Sequence, residues 1–140
     1  MVEKLKDIYS RYTEAAAKVY SNAKPMDGVW GWGDDPRKDP CHMAFYEAAE
    51  EWTAEFLADG PGKEEAFTAV KFLLETPDAW RDSHCFWFLF AAQGFSRELI
   101  PLLDRAQCAL LLEWYDKTYP KRERLPVQRD VYKALKKGAG

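Results

Sequence analysis

The sequence predicts an all-α fold, either an irregular antiparallel bundle or stacked helical hairpins, with about six helices in a single domain over residues 1–140. Apolar residues recur at intervals of three and four along most of the chain, which is the spacing of one helix face. Prolines and glycines interrupt that pattern where helices would end. A chain of 140 residues with 47% hydrophobic and 31% charged side chains has the composition of one globular domain.

The first helix is expected over about residues 2–22, where Leu5, Ile8 and Tyr12 fall on one stripe. An irregular loop rich in glycine, proline and tryptophan is expected next, at about residues 23–40. Its prolines and glycines prevent a regular helix or a central strand.

The second helix is expected to begin at Asp39-Pro40, because an N-cap acid followed by proline is a helix-start signal. It should end near Gly60. A third helix is expected over about residues 63–75, where the apolar spacing resumes before the next proline.

The fourth helix is expected to form the centre of the core, after a cap at residues 76–78. Its run CFWFLFAA, residues 85–92, is apolar on every side, which a helix shows when neighbours surround it. Gly94 is expected to stop this helix. A buried strand at residues 85–92 is the alternative, since periodicity does not separate the two for a short apolar run.

A short helical turn is expected over about residues 96–101, limited by a proline. Asp104 and Gln107 have the spacing of a capping box, which predicts the start of a fifth helix that runs to Asp116. The last helix is expected over residues 126–137, after a basic loop.

Membrane and secretory signals are missing from the sequence pattern. The longest unbroken apolar run has eight residues, 85–92, against the roughly 20 that a membrane-spanning helix needs. The first residues alternate charged and apolar side chains, unlike a signal peptide, so a cytoplasmic protein is expected. Cys41, Cys85 and Cys108 are an odd number at wide spacings, which predicts reduced, buried thiols.

Charge is segregated along the chain. Residues 27–60 hold nine acids and two bases, whereas residues 117–140 hold eight bases and two acids. The isoelectric point near 5.5 is opposite to the usual footprint of a nucleic-acid-binding domain, so nucleic acid is not the expected partner. The two segments would form a dipole if they lie apart, or an internal latch if they meet.

Four glutamates recur on the second helix at i, i+3, i+4 and i+8: Glu47, Glu50, Glu51 and Glu55. Like charges at these spacings repel, and no lysine or arginine lies between residues 41 and 60 to offset the repulsion. This pattern indicates a solvated acidic face or a docking surface for a basic protein. A cation site and a latch to the basic segment are further alternatives.

The loop before this helix carries Trp30 and Trp32 among glycines, beside Asp34 and Asp35. Indole rings on a mobile backbone are typical anchors of protein interfaces. The same rings would alternatively fold back over the core. The two aspartates are more typical of turns than of an acid/base pair.

No metal or cofactor is expected. Each histidine neighbours a cysteine, in Cys41-His42 and His84-Cys85. Adjacent helical residues point about 100° apart, so such pairs do not make a zinc motif. The sequence also lacks a phosphate-binding glycine loop, a nucleophile elbow and a His-Glu-x-x-His motif.

The sequence therefore favours a non-catalytic interaction module that binds a basic protein through the acidic helix and the tryptophan loop. An inhibitor or immunity-type protein that covers a basic cleft is its most concrete form. The alternative is a small-molecule-binding or enzymatic domain, with His84 as the titrating group of a pocket lined by Trp80, His84, Trp87 and Tyr115. The first three of these share a helix face. The oligomeric state is left open.

Overall fold

Helices account for nearly all of the chain described by the computed structural model, which covers residues 1–19, 40–75 and 86–140, with side chains at 1–15, 42–75 and 91–140. Within these ranges there are six α-helices: α1 (Val2–Val19), α2 (Pro40–Ala58), α3 (Lys63–Glu75), α4 (Phe86–Leu99), α5 (Arg105–Thr118) and α6 (Pro126–Ala139). Two short 3-10 helices span Ile100–Leu102 and Lys121–Glu123, and these ranges contain no strand. The all-α prediction is confirmed, and the strand alternative for residues 85–92 is wrong because a helix runs from Phe86.

Helix α4 lies at the centre of the arrangement and contacts α2, α3 and α6. Helix α1 packs on α2 and α3, while α5 packs chiefly on α6. Successive helices therefore pair as α1 with α2, α3 with α4 and α5 with α6, as stacked hairpins do. The central place of the fourth helix agrees with its apolar composition.

The core beneath α1 and α2 is aromatic. Tyr9 and Phe45 meet edge to face, with ring centroids 4.8 Å apart. Trp52 stacks on Phe56 at 4.7 Å, and its indole nitrogen donates a 2.7 Å hydrogen bond to the backbone oxygen of Met1. These contacts fix the side of α2 that faces inward and thereby fix the side that faces solvent.

Local start and stop signals act at several helix ends. The capping box at α5 is confirmed: the Gln107 backbone N–H donates to Asp104 Oδ1 at 2.8 Å, and the Asp104 backbone N–H donates to Gln107 Oε1 at 3.0 Å. Helix α2 ends at Ala58, and Gly60, two residues further on, has a φ of +63° and donates its N–H to the backbone oxygen of Leu57. Glycine suits this left-handed position because it has no Cβ.

The predicted stop at Gly94 is wrong. Helix α4 continues through Gly94 to Leu99, and a Cβ at position 94 would meet nothing within 4 Å. Glycine weakens a helix by only about 1 kcal/mol, so tertiary contacts to three neighbouring helices override it. The separate turn expected from residue 96 is also wrong: Ser96 is part of α4, and the 3-10 helix begins only at Ile100.

The remaining boundaries agree closely or lie outside the described residues. Helices α5 and α6 each extend two residues beyond the predicted end, a difference typical of the last turn of a helix. The predicted loop before Pro40, the last residues of the first helix and the cap at residues 76–78 are not among the described residues. No described helix is long and apolar enough to cross a membrane.

Candidate functional site

Helix α2 presents to solvent all four glutamates of the predicted acidic surface: Glu47, Glu50, Glu51 and Glu55. Because an α-helix turns by about 100° per residue, these positions span an arc of about 140°. The buried aromatic side of α2 faces the other way. The four carboxylates thus cover a broad exposed surface instead of one narrow stripe.

At one edge of this arc, a lysine of α1 partly neutralises the negative charge of Glu55. Lys4 Nζ lies 3.3 Å from Glu55 Oε2, and the two residues are 51 positions apart in the chain. Both side chains are about half exposed, so the pair contributes at most about 1 kcal/mol. Glu51 lines a concavity of about 300 Å³ between α1 and α2 whose walls also include Arg11 and Asp7. Lys4 therefore relieves part of the repulsion predicted for α2, at Glu55.

The rest of the arc has no such compensation within the described residues. No lysine, arginine or histidine nitrogen among them lies within ion-pairing distance of Glu47, Glu50 or Glu51. Tyr46 and Leu57 flank Glu50 on the helix and are 37% and 40% exposed. We call these five residues the α2 outer surface.

The apolar members of the α2 outer surface differ in how they are held. The Tyr46 ring lies 5.1 Å from the ring of Phe95 in α4 and 6.0 Å from that of His42, measured between centroids. His42 is itself buried. The Tyr46 ring is therefore oriented by the core although its edge reaches solvent, whereas Leu57 lies on the last turn of α2.

The basic segment, residues 117–140, forms ion pairs with described residues outside α2. Arg124 Nη2 lies 2.7 Å from Asp116 Oδ1, and its guanidinium also stacks 4.3 Å above the ring of Tyr132. Asp130 pairs with Arg97 of α4 at 3.5 Å. Among the described residues, the ion pairs of this segment join α4, α5 and α6 and not the glutamates of α2.

The tryptophan loop and most of the alternative pocket fall outside the described residues. This applies to Trp30, Trp32, Asp34, Asp35, Trp80 and His84. Trp87 lies in α4, but its side chain is not among those described. The parts of both predictions that rest on these residues stay predictions.

Tyr115, the fourth member of the alternative pocket, is fully buried at 0% exposure. Its hydroxyl donates to Gln93 Oε1 at 2.8 Å and has a second acceptor, the backbone oxygen of Gln128, at 3.2 Å. Burial raises the pKa of this hydroxyl well above its ordinary value, so it stays protonated. Gln93 is 1% exposed and donates to the hydroxyl of Tyr119 at 3.4 Å. Tyr115 thus belongs to a buried hydrogen-bond network that ties α4 to α5 and α6.

Metal and thiol chemistry receive little support from the described residues. No group of three or more histidine, cysteine, aspartate and glutamate side chains among them is arranged to hold a metal ion. Cys108 is buried against α6, and burial, followed by the charge of Asp104, raises the pKa of its thiol. The side chains of Cys41, His84 and Cys85 lie outside the description.

Three contributors to the site are absent from the sequence prediction. Tyr46 lies four residues before Glu50, and Leu57 lies seven residues after it. Both spacings return to the same side of a helix, so a helical projection of α2 places the two residues beside Glu50. Lys4 carries no comparable signal, because its contact with Glu55 depends on how α1 packs on α2.

Comparison of the chain with protein-family models, with curated proteins and with solved structures gives no match.

Proposed function

We propose that this chain is a non-catalytic interaction module that binds a basic protein partner through the α2 outer surface, with the loop that carries Trp30 and Trp32 as an adjoining anchor. The observation that carries this proposal is the combination of uncompensated carboxylates with two partly exposed apolar side chains on one helix. An inhibitor or immunity-type protein that covers a basic cleft is the concrete form of this function.

The carboxylates supply long-range attraction. Glu47, Glu50 and Glu51 project from the outer side of α2 into solvent, where like-charged neighbours add their potentials. A basic partner is drawn toward such a surface, and electrostatic steering raises association rates by about 10- to 1,000-fold at low ionic strength. The partner's bases would also relieve the repulsion among these glutamates.

The apolar side chains supply the short-range contact. Tyrosine is enriched among interface residues that dominate binding, because it offers a large contact area with few rotatable bonds. Tyr46 is pre-oriented by Phe95, so little conformational freedom is lost when a partner covers it. Leu57 extends the same surface toward the end of α2.

A capture experiment with matched charge-reversal variants tests the proposal. The immobilised full chain is incubated with lysate of its source cells at about 50 mM and about 500 mM salt, which span weak and strong screening. The test variant is E47K/E50K/E51K. The control, E65K/E98K/E123K, makes the same change in net charge at exposed glutamates of other elements. Bound proteins are identified by mass spectrometry.

We expect a stoichiometric basic protein that binds the wild type and the control at low salt, and that is lost from the test variant and at high salt. A W30A/W32A variant is expected to weaken the same capture at both salt concentrations. Equal capture by the test and control variants, or no stoichiometric partner for the wild type, would contradict the proposal.

A further inference from the structure

A second surface, of opposite charge, lies between the end of α4, the 3-10 helix Ile100–Leu102 and α6. It is a concavity of about 510 Å³. Its apolar walls are Ile100, Pro101, Leu103 and Ala134, together with Gly138. Of these residues, Ile100 is buried, Pro101 is exposed, and Leu103 and Ala134 are half-buried. We call this concavity the α6 groove; its size is that of a small-molecule site.

The charged lining of the α6 groove is mostly cationic. Arg97, Lys133 and Lys137 contribute three positive charges, and Asp130 contributes one negative charge. Arg97 and Asp130 form an exposed ion pair at 3.5 Å, which leaves the two lysines without a carboxylate at ion-pairing distance among the described residues. The lysines are one turn apart on α6, a rise of about 6 Å.

This lining favours an anion with an aliphatic body. A flat aromatic base would require an aromatic side chain on which to stack, and the groove walls have none. A free phosphate would leave the aliphatic walls in water. An aliphatic chain covers those walls, and a carboxylate at its end meets the lysine ammonium groups.

We infer that the α6 groove binds a free aliphatic carboxylate, with the chain against Pro101, Leu103 and Ala134 and the carboxylate between Lys133 and Lys137. This site lies on different residues from the α2 outer surface, so either assignment stands without the other.

Helix α6 supplies a matched pair of variants. K133A/K137A removes both groove lysines, whereas R129A/K136A removes two exposed bases of the same helix that do not line the groove. The two variants have the same net charge, and none of these side chains is buried, so both are expected to fold. Asp130→Asn removes the one anion of the groove and should strengthen binding by about twofold or more.

The test is a nitrogen-15 NMR titration of the full chain with decanoate, and with decyltrimethylammonium as a probe of equal chain length and opposite charge. We expect decanoate to bind the wild type with a Kd of about 1 mM or lower and to shift the amides of Ile100, Ala134 and Gly138. K133A/K137A should weaken binding about fivefold, and R129A/K136A should bind as the wild type does.

Three results would overturn the assignment. One is the absence of shifts at these amides up to about 10 mM decanoate. The second is equal binding of the cationic probe, which would show that charge does not select the ligand. The third is equal weakening in the two double variants, which would assign the effect to overall charge instead of the groove. Loss of decanoate binding leaves the capture experiment on α2 unaffected, so the two proposals fail separately.

Discussion

Gly138 of α6 packs closely against α5, and a side chain at this position would meet Cys108. A Cβ built on Gly138 would lie 2.5 Å from Cys108 Sγ and 3.3 Å from Cys108 Cβ. Gly138→Ala should therefore lower the free energy of unfolding by about 1–3 kcal/mol, measured by urea denaturation. Gly94→Ala is the control: it meets nothing within 4 Å and should raise the free energy of unfolding by about 0.5–1 kcal/mol.

A second background separates the contact with Cys108 from the other consequences of replacing Gly138. In a Cys108→Ala background the clashing sulfur is absent, so Gly138→Ala should cost less than it does in the wild type. An equal cost in both backgrounds would contradict the close approach of the two helices.

The hydroxyl of Tyr115, a predicted lining residue of the alternative pocket, lies at the centre of the buried hydrogen-bond network. Tyr115→Phe would leave Gln93 Oε1 without its 2.8 Å donor in a buried position. The expected loss of unfolding free energy is about 1–3 kcal/mol. Tyr132→Phe keeps the ring that Arg124 contacts and should change the free energy of unfolding by no more than about 0.5 kcal/mol. Equal, small effects of both variants would show that the Tyr115 hydroxyl is not tied into the core.

At the scale of a single helix, the start of α5 is sensitive to pH through Asp104. The hydrogen bond from the Gln107 backbone, and next the hydrogen bond from Lys63, lower the pKa of this carboxyl below its ordinary value of 3.8. Because its pKa is lowered in the folded state, the charged Asp104 carboxyl stabilises the fold fully at a pH above its ordinary pKa. This stabilisation is lost as the pH falls through the folded-state pKa. The capped end of α5 should therefore weaken only in acid.

Asp104→Asn tests this because asparagine keeps a capping oxygen but does not titrate. The wild type should have the higher urea midpoint at neutral pH, and its advantage should shrink or vanish at about pH 2.5. A difference between the two midpoints that does not change with pH would show that the Asp104 charge does not stabilise α5.

Helix ends were predictable where the signal is contained in a few adjacent residues. The Asp104–Gln107 box and the proline at the start of α2 are of this kind, and the structure has both. Gly94 failed as a stop because its effect is small compared with that of the contacts α4 makes with α2, α3 and α6. Those contacts join distant parts of the chain, and the local pattern of residues does not contain them.

At the scale of the whole molecule, the acidic and basic segments of the sequence contribute to two different surfaces. The acidic surface lies on α2, and the basic groove is lined by α6. The exposure of the four α2 glutamates was predictable, since the apolar positions of α2 define the buried side. The pairing of Glu55 with Lys4 was not, because it joins residues 51 positions apart. This pairing moves the centre of the uncompensated charge toward Glu50, beside Tyr46 and Leu57.

The α6 groove was hidden for the same reason. The sequence shows a basic segment that includes the lysines of the groove. The apolar walls of the groove, however, include Ile100, Pro101 and Leu103, which the fold brings beside α6. The basic segment alone is equally compatible with a solvated helix end.

The most direct test of the central claim is the association rate of the chain with its captured basic partner, measured by stopped-flow fluorescence at several ionic strengths. The wild type should associate fast at low salt and slow steeply as salt rises, and E47K/E50K/E51K should associate about 10- to 100-fold more slowly at low salt. E65K/E98K/E123K should follow the wild type. An association rate that is unchanged by reversal of the α2 glutamates would contradict recognition through the α2 outer surface.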